Sequence, residues 1–258
     1  MSTVYTTEIT SDHLPSDNPI HQRLLRPYII IAEKVTGDLL EVGCGEGRGI
    51  AHMLPRVRSY SAIDKIAPVI EQLKKQYPQA ALLSGNIPPL RAYSDNTFDC
   101  VVSFQVIEHI QDDHTFLKEI NRVLKPGGQA YLTTPNRPMS LSRNPWHIRE
   151  YTAGELTQLA QKYFSQVEMK GITGNEKVMR YHEQNRTSVQ RLMRWDILNL
   201  QYRLPAWMLR APYEFMNRLN RNRLKKKSDQ LVSDIRQEDY LLTDQADTAL
   251  DLFLMVQK

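Results

Sequence analysis

The sequence predicts an α/β fold built on a seven-stranded, mostly parallel sheet, and three observations lead to that prediction. Short apolar runs alternate with helix-spaced segments from about residue 37 to residue 172, which is the order of βαβ units. The run Phe98–Phe104 is almost continuously apolar, as in a strand buried on both faces. The last run, Ala249–Gln257, follows no crossover helix. We therefore expect it to enter the sheet antiparallel.

The remaining elements follow from hydrophobic spacing and from Pro and Gly positions. Further strands are expected at Asp38–Val42, Tyr60–Ile63, Ala80–Leu83, Gln129–Thr134 and Gln166–Ile172. Helices are expected at Pro19–Val35, between Gly47 and Leu54, and at Pro68–Gln76, Asp113–Leu124 and Thr152–Tyr163. Pro27 lies inside the first helical pattern, so we expect a kink or two shorter helices there.

Charge divides the chain of 258 residues into segments. We expect an N-terminal arm and helix at 1–36, a sheet domain formed by 37–174 and 236–258, and a basic helical insertion at 175–235. The whole chain carries a net charge of only +4, but Asn175–Lys227 contains thirteen Lys or Arg against four Asp or Glu. The basic character is therefore local to the insertion.

Nothing in the sequence indicates export, a disulfide framework or a membrane span. Cys44 and Cys100 lie in unrelated contexts. The polar N-terminus lacks the basic start and apolar core of a signal peptide. The longest apolar runs, around Tyr28–Ala32 and Leu252–Val256, are too short to cross a bilayer. We therefore expect a soluble, cytoplasmic protein, and the sequence leaves its oligomeric state open.

A glycine cluster, Gly43-Cys44-Gly45-Glu46-Gly47, lies between the first predicted strand and the next helix. Glycines permit a tight turn and a close approach of the backbone to a ligand, and a helix N-terminus offers free N–H groups. Asp64 ends the second predicted strand, where a carboxylate suits a ribose diol. Glu41 precedes the cluster, and its carboxylate would repel a pyrophosphate but attract an ammonium or sulfonium group. These charges favour S-adenosylmethionine over a dinucleotide.

The order of these motifs resembles the Rossmann-like, class I S-adenosylmethionine-dependent methyltransferases of the type 11 group. The segments that carry the resemblance are Glu41–Gly47, Asp64, Gly85-Asn86-Ile87, Phe98–His109 and Leu124–Gly128. The resemblance covers roughly residues 37–172 and the final strand, and it implies a Rossmann-like fold.

The resemblance also implies roles for individual residues in holding the cofactor. Gly43, Gly45 and Gly47 would line its methionine and ribose side, and Asp64 would hold the ribose hydroxyls. Asn86, where the family commonly has Asp, and Ile87 would lie near the adenine, and Gln105 would lie near the methyl donor.

Two histidine-bearing segments follow the fourth and fifth predicted strands, at the carboxyl edge where open α/β sheets bind ligands. Glu108 and His109 lie on the first segment, and His147 lies on the second. We expect these three residues to be catalytic, with a histidine acting as base or substrate contact for an acceptor hydroxyl. They could also hold a divalent metal, and a purely structural role stays open.

The same segments are similar to those of the small-RNA 3′-terminal 2′-O-methyltransferases. Those enzymes pair a Glu-x-x-Glu-His element with later Thr-Pro-Asn and His-x-x-Glu-aromatic-Thr elements. Gln105 stands here in place of the first Glu, which removes one anionic ligand. A catalytic metal is therefore the less favoured alternative.

The basic insertion interleaves aromatic residues, among them Trp195, with its arginines. Helix-spaced apolar residues such as Ile197 predict two or three helices, interrupted near Pro205 and Pro212. Three interpretations stay open: a helical cap, a lid over an anionic acceptor, and an interfacial helix within 190–227 that contacts an anionic membrane. A nucleic-acid partner is not favoured, because the whole-chain charge is small and no RNA-binding module is visible.

The sequence thus predicts methyl transfer from S-adenosylmethionine to oxygen of a small-molecule, sugar or lipid-linked acceptor. The expected catalytic residues are His147, His109 and Glu108. The expected cofactor residues are Glu41, Gly43, Gly45, Gly47, Asp64, Asn86, Ile87 and Gln105. Three alternatives remain: a metal-assisted RNA ribose 2′-O-methyltransferase, a degenerate methyltransferase fold that acts as a non-catalytic binding protein, and methyl transfer to nitrogen or carbon.

Overall fold

A central eight-stranded sheet organises residues 14–194, 196 and 200–258, which are the residues that the computed structural model describes. Its strand order is β3-β2-β1-β4-β5-β8-β6-β7. The strands are β1 (Asp38–Val42), β2 (Ser59–Asp64), β3 (Ala81–Ser84), β4 (Phe98–Phe104), β5 (Leu124–Pro135), β6 (Gln166–Gly174), β7 (Tyr240–Thr243) and β8 (Asp251–Gln257).

The pairing of the strands confirms the predicted α/β, Rossmann-like architecture. Strands β1 to β5 pair in parallel, whereas β8 lies antiparallel between β5 and β6. The antiparallel last strand was expected because no crossover helix precedes it. The sheet has eight strands rather than seven, since β7 pairs antiparallel with the outer edge of β6. This four-residue strand is too short to show an alternating pattern in the sequence.

Helices cover both faces of the sheet. They are α1 (Asn18–Ala32), α2 (Ile50–Met53), α3 (Ala67–Gln76), α4 (Asp113–Val123), α5 (Ala153–Ala160), α6 (Glu176–Met193), α7 (Leu200–Arg203), α8 (Ala206–Lys227) and α9 (Asp229–Asp234). Within the described residues, no helix is long and apolar enough to cross a membrane. The cytoplasmic location stays a prediction.

Several helix boundaries differ from the predicted ones. Helix α1 runs through Pro27 without a break. The helix expected directly after the glycine cluster is reduced to α2, because the backbone at Gly43, Gly45 and Gly47 has positive φ and cannot be helical. In the insertion, Pro205 precedes α8 but Pro212 lies inside it, so the interruption expected near Pro212 is wrong.

The described part of the predicted insertion, residues 175–194, 196 and 200–235, contains helices α6 to α9, which we call the lid. The lid is tied to the N-terminus of α1 by an ion pair between Arg218 and the buried Asp17. Predictions for the arm at residues 1–13, for Trp195 and for Ile197 lie outside the described residues. The proposed domain boundaries remain predictions.

Two hydrophobic clusters pack on opposite faces of the sheet. Alternation along β1 sends Leu39 to one cluster and Leu40 to the other, as the pleat of a strand requires. This packing fixes the strands, so the loops at their carboxyl ends are held at one edge of the sheet.

Candidate functional site

Two cavities adjoin at the carboxyl edge of the sheet. The first, of about 240 Å³, is lined by the glycine cluster and the end of β2, and we call it the glycine-loop cavity. The second, of about 290 Å³, lies beneath the lid and contains both predicted histidines, and we call it the histidine cavity. Leu24, Gln105 and His109 line both cavities. A molecule in one cavity would therefore meet a molecule in the other at these residues.

The three glycines of the cluster have different surroundings. A Cβ atom on Gly43 would lie 2.4 Å from the side chain of Val106, whereas one on Gly45 would meet nothing within 4 Å. Both glycines line the cavity. Gly47 is not among the lining residues, and its missing Cβ makes room for Leu73 and Ile50. The structure therefore gives Gly47 a packing role beneath the predicted cofactor loop.

Asp64 lies at the end of β2, where it lines the glycine-loop cavity. Its Oδ2 accepts a hydrogen bond from the Gly45 N–H at 2.9 Å, and its Oδ1 accepts one from the Ile66 N–H at 3.0 Å. These bonds fix the carboxylate, whose further lone pairs suit the hydroxyls of a ribose. Asn86 and Ile87 line the same cavity.

Glu41 is separated from the other predicted cofactor residues. Its side chain is fully buried, and it accepts hydrogen bonds from the hydroxyls of Tyr28, at 2.5 Å, and Tyr60. Burial raises the pKa of Glu41 to about 7, against the lowering effect of these two hydrogen bonds. The structure thus places Glu41 behind the cavity wall formed in part by Tyr28. The carboxylate of this motif that does line the cavity belongs to Glu46.

Gln105 lies where the two cavities meet, and its backbone has a φ of +56°, an uncommon value for a residue with a side chain. The turn is fixed by a hydrogen bond from the Gln105 N–H to the Thr133 carbonyl at 2.9 Å. The side-chain amide donates to the Thr133 hydroxyl and to Asp251, both at 3.3 Å. Such local strain is typical of positions that are held for a function.

Glu108, His109 and His147 converge as the sequence predicts, with one ligand atom of each within 4.8 Å of the others. The rings of the two histidines meet edge to face, with centroids 4.9 Å apart. Glu108 is buried and accepts a hydrogen bond from the Thr134 hydroxyl at 2.9 Å. Burial raises the pKa of Glu108 to about 7, although the positive charge of a protonated His147 would lower it.

Hydrogen bonds assign the same tautomer to the two histidines, with the proton on Nδ1. His109 Nδ1 lies 2.9 Å from the carbonyl oxygen of Trp146. Because a carbonyl only accepts, Nδ1 carries the proton and Nε2 carries a lone pair in the neutral ring.

His147 Nδ1 lies 2.7 Å from Glu150 Oε1, and its Nε2 lies 2.9 Å from the side-chain amide nitrogen of Asn144. The Trp146 N–H donates to Asn144 Oδ1, which orients that amide with its N–H groups toward His147. The lone pair of His147 Nε2 is therefore already engaged. Burial raises the pKa of Glu150, but hydrogen bonds from His147 and Ser140 outweigh it and lower the pKa overall.

The histidine cavity also contains residues that sequence reasoning missed. Arg23 on α1 forms two hydrogen bonds with the buried Asp251 on β8, from Nε at 2.6 Å and from Nη2 at 2.5 Å. His182, on α6, faces the same space, and burial lowers its pKa. Arg23 and Asp251 are 228 positions apart, so no local pattern links them.

The lid closes the histidine cavity from the outside. Tyr213, Asn217 and Asn220 of α8 line it, and the guanidinium of Arg210 lies 4.2 Å from the ring centroid of Trp146. This cation–π contact joins the lid to the loop that carries His147. The histidine cavity is thus assembled from α1, the lid and two loops.

Comparison with known proteins identifies the central region of the chain. Residues 40–132 match a family model described as a methyltransferase domain. A protein of Mycolicibacterium smegmatis, named a probable S-adenosylmethionine-dependent methyltransferase, is 37% identical over 169 residues, which cover 63% of this chain and 65% of the relative. The ubiquinone biosynthesis O-methyltransferase of Rickettsia felis is 28% identical over 148 residues, covering 53% of this chain and 59% of the relative.

A solved structure supports the fold over nearly the whole chain. It is a Thermotoga maritima S-adenosylmethionine-dependent methyltransferase, described as a possible histamine N-methyltransferase, with a TM-score of 0.56, 15% identity, and coverage of 93% of this chain and 91% of that one. This likeness shows the fold alone. The chain spans less than two thirds of the length of the M. smegmatis relative. For residues 40–132 the predicted methyltransferase family is confirmed, and the name of the M. smegmatis relative agrees with the predicted cofactor, S-adenosylmethionine.

Proposed function

We propose that this chain, whose residues 40–132 form an S-adenosylmethionine-dependent methyltransferase domain, methylates a hydroxyl oxygen of a small-molecule, sugar or lipid-linked acceptor. The observation that carries the proposal is the junction of the two cavities at Gln105 and His109. A donor in the glycine-loop cavity and an acceptor in the histidine cavity would meet there. Such alignment of two reactants is the main requirement of a direct displacement.

The glycine-loop cavity fits the cofactor by its chemistry. Gly45 leaves open space where a side chain would stand, Asp64 presents a fixed carboxylate, and Glu46 adds a second one. Asp64 would hold the ribose hydroxyls, and Glu46 complements the positive methionine end. When bound, S-adenosylmethionine supplies a methyl group activated by a sulfonium centre.

His109 is the residue best placed to accept the acceptor proton. It lines both cavities, and its Nδ1 proton, directed at the Trp146 carbonyl, makes Nε2 the basic atom of the neutral ring. S-adenosylmethionine would supply the methyl group, and the proton of the acceptor hydroxyl would move to His109 Nε2 as the oxygen is methylated. His147, oriented by Glu150 and Asn144, would contact the acceptor. Oxygen as the methylated atom is also favoured by the similarity to the Rickettsia O-methyltransferase.

A metal-assisted transfer to RNA ribose is the second candidate, and the convergence of Glu108, His109 and His147 favours it. Two observations weigh against it. His147 Nε2 already receives the Asn144 amide, and Glu108 already receives the Thr134 hydroxyl. A cation would have to displace these bonds and would find only one carboxylate in the cluster.

The test is S-adenosylhomocysteine release by the purified chain with small-molecule, lipid and RNA fractions of a cell lysate, each with and without EDTA. We expect turnover with the small-molecule or lipid fraction, insensitivity to EDTA, and a product methylated on oxygen by mass spectrometry and NMR. Turnover with RNA alone that EDTA abolishes would establish the second candidate instead. Cofactor binding without turnover on any fraction would overturn the proposal and indicate a binding protein.

The role of His109 is tested on the active fraction with His109→Asn. Loss of a general base lowers kcat by about 10²–10⁴-fold, and cofactor affinity should change little. The matched control is His114→Asn, because His114 is an exposed histidine on α4 that bonds Tyr163 away from both cavities. Equal turnover of the His109 variant and the control would show that another group takes the proton.

A further inference from the structure

Helix α8 exposes large apolar side chains on the face that points away from the histidine cavity. Met208, Phe215 and Leu219 follow one another at intervals of seven and four residues, so they form one stripe along the helix. Trp207 flanks the stripe at its N-terminal end. Trp207 is 71% exposed and Phe215 is 63% exposed, which is unusual for aromatic side chains of a soluble surface.

The orientation of α8 is fixed, so this stripe cannot turn inward. On the opposite face, Asn220 bonds Ser188 and Asn185 of α6, and Leu224 is buried. Arg218 pairs with the buried Asp17 near α1. We call the face that carries Trp207, Met208, Phe215 and Leu219 the outer face of the lid.

The charge of α8 indicates which partner the outer face suits. The helix contains seven basic residues and one acidic residue, Glu214. Arg223, Lys226 and Lys227 are exposed at the C-terminal end, where the apolar stripe ends. Aromatic and aliphatic side chains beside a basic cluster are the composition of helices that lie in the interface of anionic membranes.

We propose that the outer face of the lid docks on an anionic lipid bilayer. Its apolar side chains enter the region between headgroups and acyl chains, and the basic C-terminal end of α8 contacts the lipid phosphates. Because Tyr213 and Asn217 on the opposite face line the histidine cavity, that cavity then lies one helix diameter from the bilayer, roughly 10 Å. Nucleic acid is a poorer match, since aliphatic residues such as Met208 and Leu219 offer nothing to a phosphate backbone or a base edge.

The test measures co-sedimentation of the full chain with vesicles of phosphatidylcholine and phosphatidylglycerol, and with vesicles of phosphatidylcholine alone. We expect binding to the anionic vesicles that weakens in high salt. Leu219→Asp should weaken it by about tenfold or more, because a charge enters the apolar stripe. The matched control is Leu241→Asp, since Leu241 on β7 is similarly exposed and should leave vesicle binding unchanged.

A second variant, Lys226→Glu with Lys227→Glu, should weaken binding only to the anionic vesicles. Equal vesicle binding by Leu219→Asp and Leu241→Asp, or no binding by the unaltered chain, would overturn the proposal. So would a dimer in light scattering that Leu219→Asp dissociates, because the outer face would then join two copies. Vesicle binding is measured without cofactor or acceptor, so its failure is distinguishable from failure of the proposed methyl transfer.

Discussion

The two cavities of the site are built in contrasting ways. The glycine-loop cavity is formed mainly by backbone turns at the ends of β1, β2 and β4, within residues 43–110 apart from Leu24 and Tyr28. The histidine cavity takes side chains from α1, the loop after β5, α6, α8 and the last strands. The first is thus largely a local structure, and the second depends on contacts between segments up to 228 residues apart.

This difference separates what is shared with other proteins from what belongs to this chain. The matched family region, residues 40–132, includes the glycine loop and Asp64 but neither His147 nor the lid. A common cofactor can be held by a common turn, whereas acceptor choice resides in loops and insertions placed on the fold. Perturbing each region should therefore have different consequences.

The largest effect is expected from Asp251→Ala, which would leave Arg23 without its carboxylate partner at the base of the histidine cavity. Removing one member of a buried ion pair costs about 3–5 kcal/mol. Urea denaturation measures the loss in the free energy of unfolding. Asp244→Ala is the control, because Asp244 is exposed and its pair with Lys170 should contribute little to stability. Similar losses in both variants would show that the Arg23–Asp251 pair stabilises the fold no more than an exposed ion pair does.

The next effect concerns Glu41. Burial raises the pKa of its carboxyl from 4.5 to about 7. A carboxyl with a raised folded-state pKa contributes stability that is present below pH 4.5 and is lost as pH rises through 7. The shift corresponds to roughly 3 kcal/mol. Glu41→Gln should therefore flatten the decline in unfolding free energy between pH 5 and pH 8, measured without cofactor.

Glu108 allows a comparison with Glu41. Burial also raises the pKa of Glu108 to about 7, but Glu108 lies beside the two histidines. Glu108→Gln should flatten the same stability profile and also change the pH dependence of turnover. The exposed Glu71→Gln should do neither. If Glu41→Gln left the pH profile of stability unaltered, Glu41 would titrate as an ordinary carboxyl despite its burial.

The smallest effect is expected within the glycine loop itself. In Gly43→Ala, the alanine must adopt a φ of +82°, and its Cβ would lie 2.4 Å from the Val106 side chain. We therefore expect the free energy of unfolding to fall by about 2 kcal/mol. At Gly45 the φ is +49° and a Cβ would have open space around it. Gly45→Ala should therefore lower the free energy of unfolding by about 1 kcal/mol or less. Because Gly45 lines the glycine-loop cavity, calorimetric titration should show weaker S-adenosylmethionine binding by this variant. A greater stability loss for Gly45→Ala would contradict this assignment.

Sequence patterns predicted much of the sheet but few details of its periphery. The strand Phe98–Phe104 agrees with its predicted bounds because its apolar run is long and unambiguous. The four-residue β7 was missed, since it exists by pairing with β6 rather than by its own pattern. Helix α8 continues through Pro212, which shows that tertiary packing can override a local breaker.

The sequence by itself determined the order of strands and helices, the glycine turn and the acid at the end of β2, because each depends on neighbours within a few residues. It also indicated that Glu108, His109 and His147 would share an edge of the sheet, since parallel strands end together. Only the tertiary structure decided that Glu41 bonds two tyrosines behind the cavity, that the Asn144 amide bonds His147, and that Arg23 meets Asp251. These contacts join segments whose separation along the chain carries no periodic signal, so packing alone brings them together.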